Sequence, residues 1–105
     1  MANENWVAVA AATELAPGDM IAVNAAGREI ALYNVDGQYY ATANVCTHAF
    51  ALLTEGWFED GVVECPLHAG RFDVRTGRGL GPPISCDLDT YAVRVAGETI
   101  EIALP

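Results

Sequence analysis

Two short segments hold the only two histidines of the chain and two of its three cysteines. Residues 46–48 have the sequence CTH, and residues 65–68, which follow a gap of sixteen residues, have the sequence CPLH. Thiolate sulfur and imidazole nitrogen are side-chain donors that bind zinc and iron. The two segments therefore predict a metal centre. Its candidate ligands are Cys46, His48, Cys65 and His68.

The spacing of these donors bears on which metal they bind. One zinc or iron ion could take all four side chains, as in Cys₂His₂ zinc sites. Zinc loops usually separate paired ligands of one type by about two to four residues. Here a single residue separates Cys46 from His48. A two-iron cluster fits better, because each loop can place its cysteine on one iron and its histidine on the other. A zinc-stapled structural β module is the alternative.

Length and composition describe the scaffold that must hold these loops. With 105 residues, 52% of them hydrophobic, the chain is predicted to form one globular domain, residues 1–105. No apolar run approaches the roughly 20 residues that cross a membrane, and the N-terminus lacks the basic start of a secretion signal. An odd number of cysteines without an export signal favours metal ligation over disulfides. We expect a soluble, cytoplasmic protein.

The net charge of −9 narrows the classes of partner. The chain has fourteen acidic residues and only five arginines, so it lacks the basic surface that nucleic-acid binding needs. An acidic surface favours partner proteins with a positive docking patch, because opposite charges speed their encounter. The alternative is that the charge only keeps a small protein in solution.

Turn signals between apolar stretches predict an antiparallel all-β fold. Asp-Gly pairs between such stretches are strong hairpin signals, because both central residues of the turn need positive φ. The turns are placed at Gly27, Asp36-Gly37, Asp60-Gly61 and Ala96-Gly97. The flanking stretches carry β-branched and aromatic residues that suit strands. They are residues 20–25, 29–35, 38–45, 62–65, 91–96 and 99–104. A longer excursion runs from about Cys46 to Pro83.

The two metal-binding segments and their spacing resemble the motif of Rieske proteins. The likeness extends through nearly the whole chain, including FDVRTGRGLGPP and the terminal TYAVRV and TIEIALP. The chain is most similar to the small Rieske-type ferredoxins of bacterial aromatic-ring dioxygenase systems, such as those for naphthalene, biphenyl or carbazole. The resemblance implies a β-sandwich base with a small cluster-binding subdomain at about residues 45–84. It also implies one Rieske-type [2Fe–2S] cluster, with Cys46 and Cys65 on the inner iron and His48 and His68 on the outer iron.

The function that the resemblance implies is one-electron transfer, without catalysis by this chain. A monomer would carry electrons from a flavin-containing ferredoxin reductase to the Rieske centre of a terminal aromatic-ring dioxygenase. With both histidines committed to the cluster, none remains for the mononuclear iron of an oxygenase. No glycine-rich dinucleotide motif is present either. The alternative is a small Rieske subunit permanently bound in a larger reductase, as in nitrite reductases.

Residues near the ligands predict a low reduction potential. Respiratory-type members of the family carry a second cysteine in each loop and hydroxyl groups that hydrogen-bond the cluster sulfurs. Here neither loop has a second cysteine, and Gly70 and Phe72 stand where the hydroxyls are expected. With fewer hydrogen bonds to its sulfurs and an acidic protein around it, the reduced cluster is less stable than in the respiratory-type proteins. The potential is therefore expected nearer about −150 mV than about +300 mV.

Several other residues in or near the excursion are expected to have roles other than binding the metal. Cys86 is expected to be a plain half-buried thiol. Pro82 and Pro83 are expected to lie in a third loop that closes over the cluster and helps to exclude water. Together with Phe50 and Leu67, they would form an apolar collar on which a transient partner docks.

Three arginines and the two tryptophans are expected to have structural roles. Arg71, Arg75 and Arg78 are expected to pair with acidic side chains of the same chain rather than with a redox partner. The candidate acids are Glu55, Glu59, Asp60 and Asp73. Trp6 and Trp57 are expected to be core or sheet-face anchors.

Overall fold

Ten β-strands make up about half of the part of the chain that the structure describes, and all their pairings are antiparallel. The computed structural model describes residues 5–46, 51–67, 69–81 and 87–104. The strands are β1 Asn5–Ala11, β2 Met20–Ala25, β3 Arg28–Val35, β4 Gln38–Ala43, β5 Trp57–Glu59, β6 Val62–Glu64, β7 Arg71–Asp73, β8 Thr90–Tyr91, β9 Val93–Ala96 and β10 Thr99–Leu104. Two single-turn 3₁₀ helices span Ala12–Glu14 and Leu53–Glu55. The predicted all-β, antiparallel class is confirmed.

The strands form three sheets. The first has the order β1-β10-β9, the second β2-β3-β4-β8 and the third, which is much smaller, β5-β6-β7. Within the described ranges, no helix is long or apolar enough to cross a membrane.

Strand β3 connects the three sheets because both of its faces are buried. Successive side chains of a strand point to opposite faces. On one face Ile30 and Leu32 pack in a core with Ile100 of β10 in the first sheet. On the other face Tyr33 packs in a second core with Phe72 of the small sheet. The second sheet therefore lies between the other two.

Three hairpin turns lie where the sequence predicts them, and the fourth is shifted by one residue. Ala26-Gly27, Asp36-Gly37 and Asp60-Gly61 all have positive φ at both central residues, as the predicted turn type requires. In the last hairpin Ala96 pairs with Thr99, so the central residues are Gly97 and Glu98. Only Gly97 has positive φ, at 65°. A turn with glycine first needs positive φ at that position alone, which lets alanine remain in the strand.

The predicted strand over residues 91–96 is interrupted at Ala92. Tyr91 belongs to β8, which pairs with β4 in the second sheet, whereas Val93 begins β9, which pairs with β10 in the first. The interruption allows the chain to pass from one sheet to the other. Strands β1, β5 and β7 are not among the predicted strands. The last two have only three residues each, too few for an alternating pattern to stand out.

Gly77 fixes the exit from the small sheet. Its φ is +78°, and a Cβ atom there would overlap the carbonyl oxygen of Leu88. The Gly77 N–H donates to the Asp73 carbonyl at 2.7 Å, and its own carbonyl accepts the Leu88 N–H at 2.7 Å. Glycine at this position therefore joins the end of β7 to the segment that leads into β8.

Replacing Gly77 by alanine is expected to lower the free energy of unfolding by about 3 kcal/mol, from left-handed backbone strain and the overlap with Leu88. Gly18→Ala is the matched control, because Gly18 has a φ of +88° but open space around its Cβ position. This control is expected to lose only about 1 kcal/mol. Urea unfolding followed by circular dichroism measures both values. Equal losses in the two variants would contradict the assigned role of the Leu88 contact.

Candidate metal centre

The two cysteines of the predicted ligand set meet in the core beneath the small sheet. Cys46 follows β4 and is 4% exposed, and Cys65 directly follows β6 and is 0% exposed. Both belong to one buried hydrophobic cluster, where the Cys46 thiol is close enough to raise the pKa of the Cys65 thiol, and neither cysteine forms a disulfide. Two thiols held side by side out of solvent fit two thiolate ligands of one metal ion.

Burial raises the pKa of the Cys65 thiol above its ordinary value. The Leu67 N–H lowers this pKa because it donates to Cys65 Sγ at 3.4 Å, while the adjacent Cys46 thiol raises it. A raised pKa keeps the Cys65 thiol protonated at neutral pH in the metal-free protein. Metals bind the thiolate, so a metal ion bound here would displace the proton, and its positive charge would compensate the buried anion.

The second loop turns back on itself around Cys65. The Cys65 N–H donates to the Gly70 carbonyl at 2.7 Å, and Ala69 has a left-handed φ of 55°. Phe72, two residues further, is fully buried in the core that contains both cysteines. Of the two positions where a cluster-directed hydroxyl is expected, one thus carries no side chain and the other a buried hydrocarbon ring.

Asn44 holds the base of the first loop, two residues before Cys46. Its buried side chain donates to Thr54 Oγ1 at 3.0 Å and accepts the Thr54 N–H at 3.0 Å. Its main-chain carbonyl accepts the Leu53 N–H at 2.8 Å, and its N–H donates to the Glu29 carbonyl at 3.0 Å. One asparagine therefore joins the strand that enters the loop to the 3₁₀ turn that leaves it.

Two further contacts close this loop and bring it to the second. The Cys46 N–H donates to the Ala51 carbonyl at 2.9 Å. After the 3₁₀ turn, Gly56 passes so close to β6 that a Cβ there would overlap the Glu64 carbonyl. Only glycine fits against the residue that immediately precedes Cys65. Neither Asn44 nor Gly56 is among the predicted functional residues; the polar side chain of Asn44 just ahead of the CTH segment was the available signal for it.

The structure brings together two of the four predicted ligands. His48 and His68 lie outside the described residues, and so do Phe50, Cys86 and the Pro82-Pro83 pair. Within the part that is described, no group of three or more His, Cys, Asp or Glu side chains could hold a metal ion. Leu67, which precedes His68, is 45% exposed, so ordinary core packing does not account for it.

The predicted ion pairs of Arg71, Arg75 and Arg78 do not form among the described residues. The single salt bridge found there joins Arg94 Nε to Glu101 Oε1 at 2.6 Å. Exposed ion pairs contribute little, and an arginine can make other contacts instead. The Arg75 guanidinium, for example, lies 5.9 Å from the centre of the Tyr40 ring.

The two tryptophans differ from each other. Trp6 packs against the Arg94 guanidinium, which lies 4.2 Å from the ring centre, and so acts as the predicted sheet-face anchor. Trp57 also lies on a sheet face but is 64% exposed, so the prediction that it is a packed anchor is wrong. Its outward position follows from the alternation of β5, in which Phe58 takes the inward position.

Comparison with known proteins gives matches over nearly the whole chain. The family model described as the Rieske [2Fe-2S] domain matches residues 5–92. One curated relative is the ferredoxin component of the naphthalene 1,2-dioxygenase system of Pseudomonas aeruginosa. It is 45% identical over 102 residues, which cover 97% of this chain and 98% of the relative.

Two solved structures have closely similar folds. The ferredoxin of carbazole 1,9a-dioxygenase from Nocardioides aromaticivorans has a TM-score of 0.90 and 39% identity, covering 94% of this chain and 97% of its own. A chain in the complex of reduced oxygenase and oxidized ferredoxin in carbazole 1,9a-dioxygenase has a TM-score of 0.89 and 38% identity. That match covers 96% of this chain and 94% of the other.

Asn44→Ala is expected to lower the free energy of unfolding by about 2 kcal/mol, because it removes two side-chain hydrogen bonds and leaves their partners unsatisfied. Any metal centre built on Cys46 should also be lost several-fold faster to a chelator, as the first loop is no longer closed. The decay of visible absorbance measures this loss. Asn24→Ala is the control, since Asn24 makes a comparable bond to the Gly27 N–H in an exposed turn. Similar decay rates in the two variants would argue against the role given to Asn44.

Proposed function

This chain belongs to the Rieske [2Fe-2S] domain family, and we propose that it carries electrons to the terminal oxygenase of an aromatic-ring dioxygenase system. Its cofactor is a Rieske-type [2Fe–2S] cluster, which supplies one-electron redox chemistry when bound. The observation that carries the proposal is the burial of Cys46 and Cys65 in the same core, which suits the all-cysteine end of such a cluster.

We assign the ligand set on the same basis. Cys46 and Cys65 are proposed to bind the inner iron, because both lie at the bottom of the core. His48 and His68 are proposed to bind the outer iron, since each follows its cysteine by two or three residues in the sequence and two histidines replace two cysteines on one iron of a Rieske centre. The cluster-binding subdomain is proposed to span about residues 45–84, which include the small sheet.

The surface around the loops supports transient docking. Val45, Leu67 and Leu80 are 43%, 45% and 38% exposed, respectively. Val45 also lines a cavity of about 260 Å³, together with Ala51, Leu52 and Glu55. Exposed apolar side chains that flank the ligand loops suit a partner that binds briefly, close to the imidazole side of the cluster.

The proposed electron donor is a flavin-containing ferredoxin reductase. The net charge of −9 favours redox partners with basic docking surfaces. It also lowers the reduction potential of the cluster, because reduction adds a negative charge to an already acidic protein. We propose that the chain performs no catalysis of its own, because both histidines are assigned to the cluster. The exchange is proposed to occur in the cytoplasm, where unmodified cysteine thiols persist for cluster assembly.

Substitution of any proposed ligand is expected to abolish or alter the rhombic paramagnetic resonance signal of the reduced protein. Cys46→Ser, Cys65→Ser, His48→Ala and His68→Ala should each lose the cluster or change its spectrum, because each removes one donor atom from iron. Cys86→Ser is the matched control and should keep both colour and signal. A histidine variant with an unchanged signal, or a colourless native protein containing one zinc per chain, would refute the ligand assignment.

The midpoint potential is expected to lie nearer about −150 mV than about +300 mV, because Gly70 and Phe72 provide no hydroxyl for the cluster sulfurs. Protein-film voltammetry measures it. Gly70→Ser is expected to raise the potential by supplying a donor, whereas Gly70→Ala, which adds a carbon but no hydroxyl, should leave it nearly unchanged. A native potential well above zero would rule out the low-potential carrier.

A further inference from the structure

The outward face of the small sheet carries a set of side chains that the proposed function has not used. Alternate residues of β5, β6 and β7 point away from the core, because Phe58, Val63 and Phe72 occupy the inward positions. A hollow of about 300 Å³ lies on the outward face. It is lined by Trp57, Glu59, Asp60, Val62, Glu64 and Arg71.

Trp57 is the most exposed large hydrophobic side chain in the described part of the molecule, at 64%. Leaving an indole in water forgoes most of the free energy that its burial would provide. Tryptophan is also enriched among the few residues that dominate binding at protein interfaces. Trp57 beside a hollow is therefore suited to serve as an anchor for a partner protein.

The position of Trp57 connects this face with the ligand loops. Trp57 pairs with Glu64, and Glu64 pairs with Arg71, so the three side chains form one row across the sheet. Trp57 begins β5 after the first loop, Glu64 immediately precedes Cys65, and Arg71 begins β7 after the second loop. This row is the edge of the sheet nearest both loops, so a partner seated over the loops can extend onto it.

The charges around Trp57 define what kind of partner surface fits. Three carboxylates line the hollow, from Glu59, Asp60 and Glu64, against the single guanidinium of Arg71. None of these groups is in a salt bridge within the described residues. The carboxylates can therefore accept charge-assisted hydrogen bonds from a partner, and the indole face can hold a guanidinium by a cation–π contact.

We propose that this face docks the terminal oxygenase, at an oxygenase surface that presents arginine or lysine side chains. The inference rests on the proposed function, and it favours the oxygenase because a similar ferredoxin has been solved in complex with an oxygenase. Trp57 supplies the apolar anchor, while Glu59 and Glu64 supply complementary charge. The face would give the oxygenase a second contact region, beside the apolar surface around the loops.

The test uses the cluster-loaded protein and the oxygenase of the Pseudomonas aeruginosa naphthalene 1,2-dioxygenase system. Calorimetry gives the dissociation constant, and stopped-flow absorbance gives the rate of electron delivery. Trp57→Ala is expected to raise the dissociation constant at least about 10-fold, and Trp57→Phe by less. The rate at saturating oxygenase should not change, because the anchor holds the partner without touching the cluster. The Glu59→Gln, Glu64→Gln double variant should weaken binding and reduce its dependence on salt.

Two substitutions in the β9–β10 hairpin serve as matched controls. Val95→Ala removes an exposed apolar side chain, and Glu98→Gln removes an exposed carboxylate. Both are expected to bind like the native protein, and every variant should keep the native absorbance spectrum.

The possible contrary results separate the two proposals. Native affinity in Trp57→Ala, or an effect confined to reduction by the reductase, overturns the docking surface and leaves the carrier function intact. Failure of the native protein to deliver any electron to the oxygenase overturns both.

Discussion

The burial of Cys46 and Cys65 in one apolar core is the constraint on which the remaining structure depends. The two residues are 19 positions apart in the chain, yet both are buried in one apolar core. Burial disfavours the thiolate form, so the site is suited to anionic sulfur only when a metal compensates its charge. The pairing of β6 with its neighbours holds Cys65, and the hydrogen bonds of Asn44 at the base of the first loop hold Cys46.

The supports of that arrangement are spread over the second sheet and the small sheet. Asn44 closes the first loop from the end of β4, and Gly56 lets the two loops approach each other. Tyr33, whose ring centre lies 5.1 Å from that of Phe58, continues the core from the small sheet into the second sheet. Burial raises the pKa of the Tyr33 hydroxyl, which stays neutral and bonds to Thr42 Oγ1 at 2.9 Å. The base is therefore part of the metal centre's support, although it supplies no ligand.

Much of this could be predicted from the sequence, because the signals are local. The spacing of Cys46 and Cys65 indicated a shared centre, and the Asp-Gly pairs at 36–37 and 60–61 marked hairpins through their backbone requirements. What failed depended on contacts distant in the chain. The sheet exchange at Ala92 depends on two different partner strands, and the exposure of Trp57 depends on which face of a three-residue strand meets the core. No local pattern encodes either.

Strand β3, with one face on each core, has a consequence for evolution and engineering. A substitution that shifts this strand to suit the base also moves the wall against which the small sheet packs. Volume changes in the two cores are therefore coupled through a single backbone, and they should be compensated jointly rather than core by core. The redox end of the molecule cannot be transplanted onto another scaffold without a replacement for this doubly buried strand.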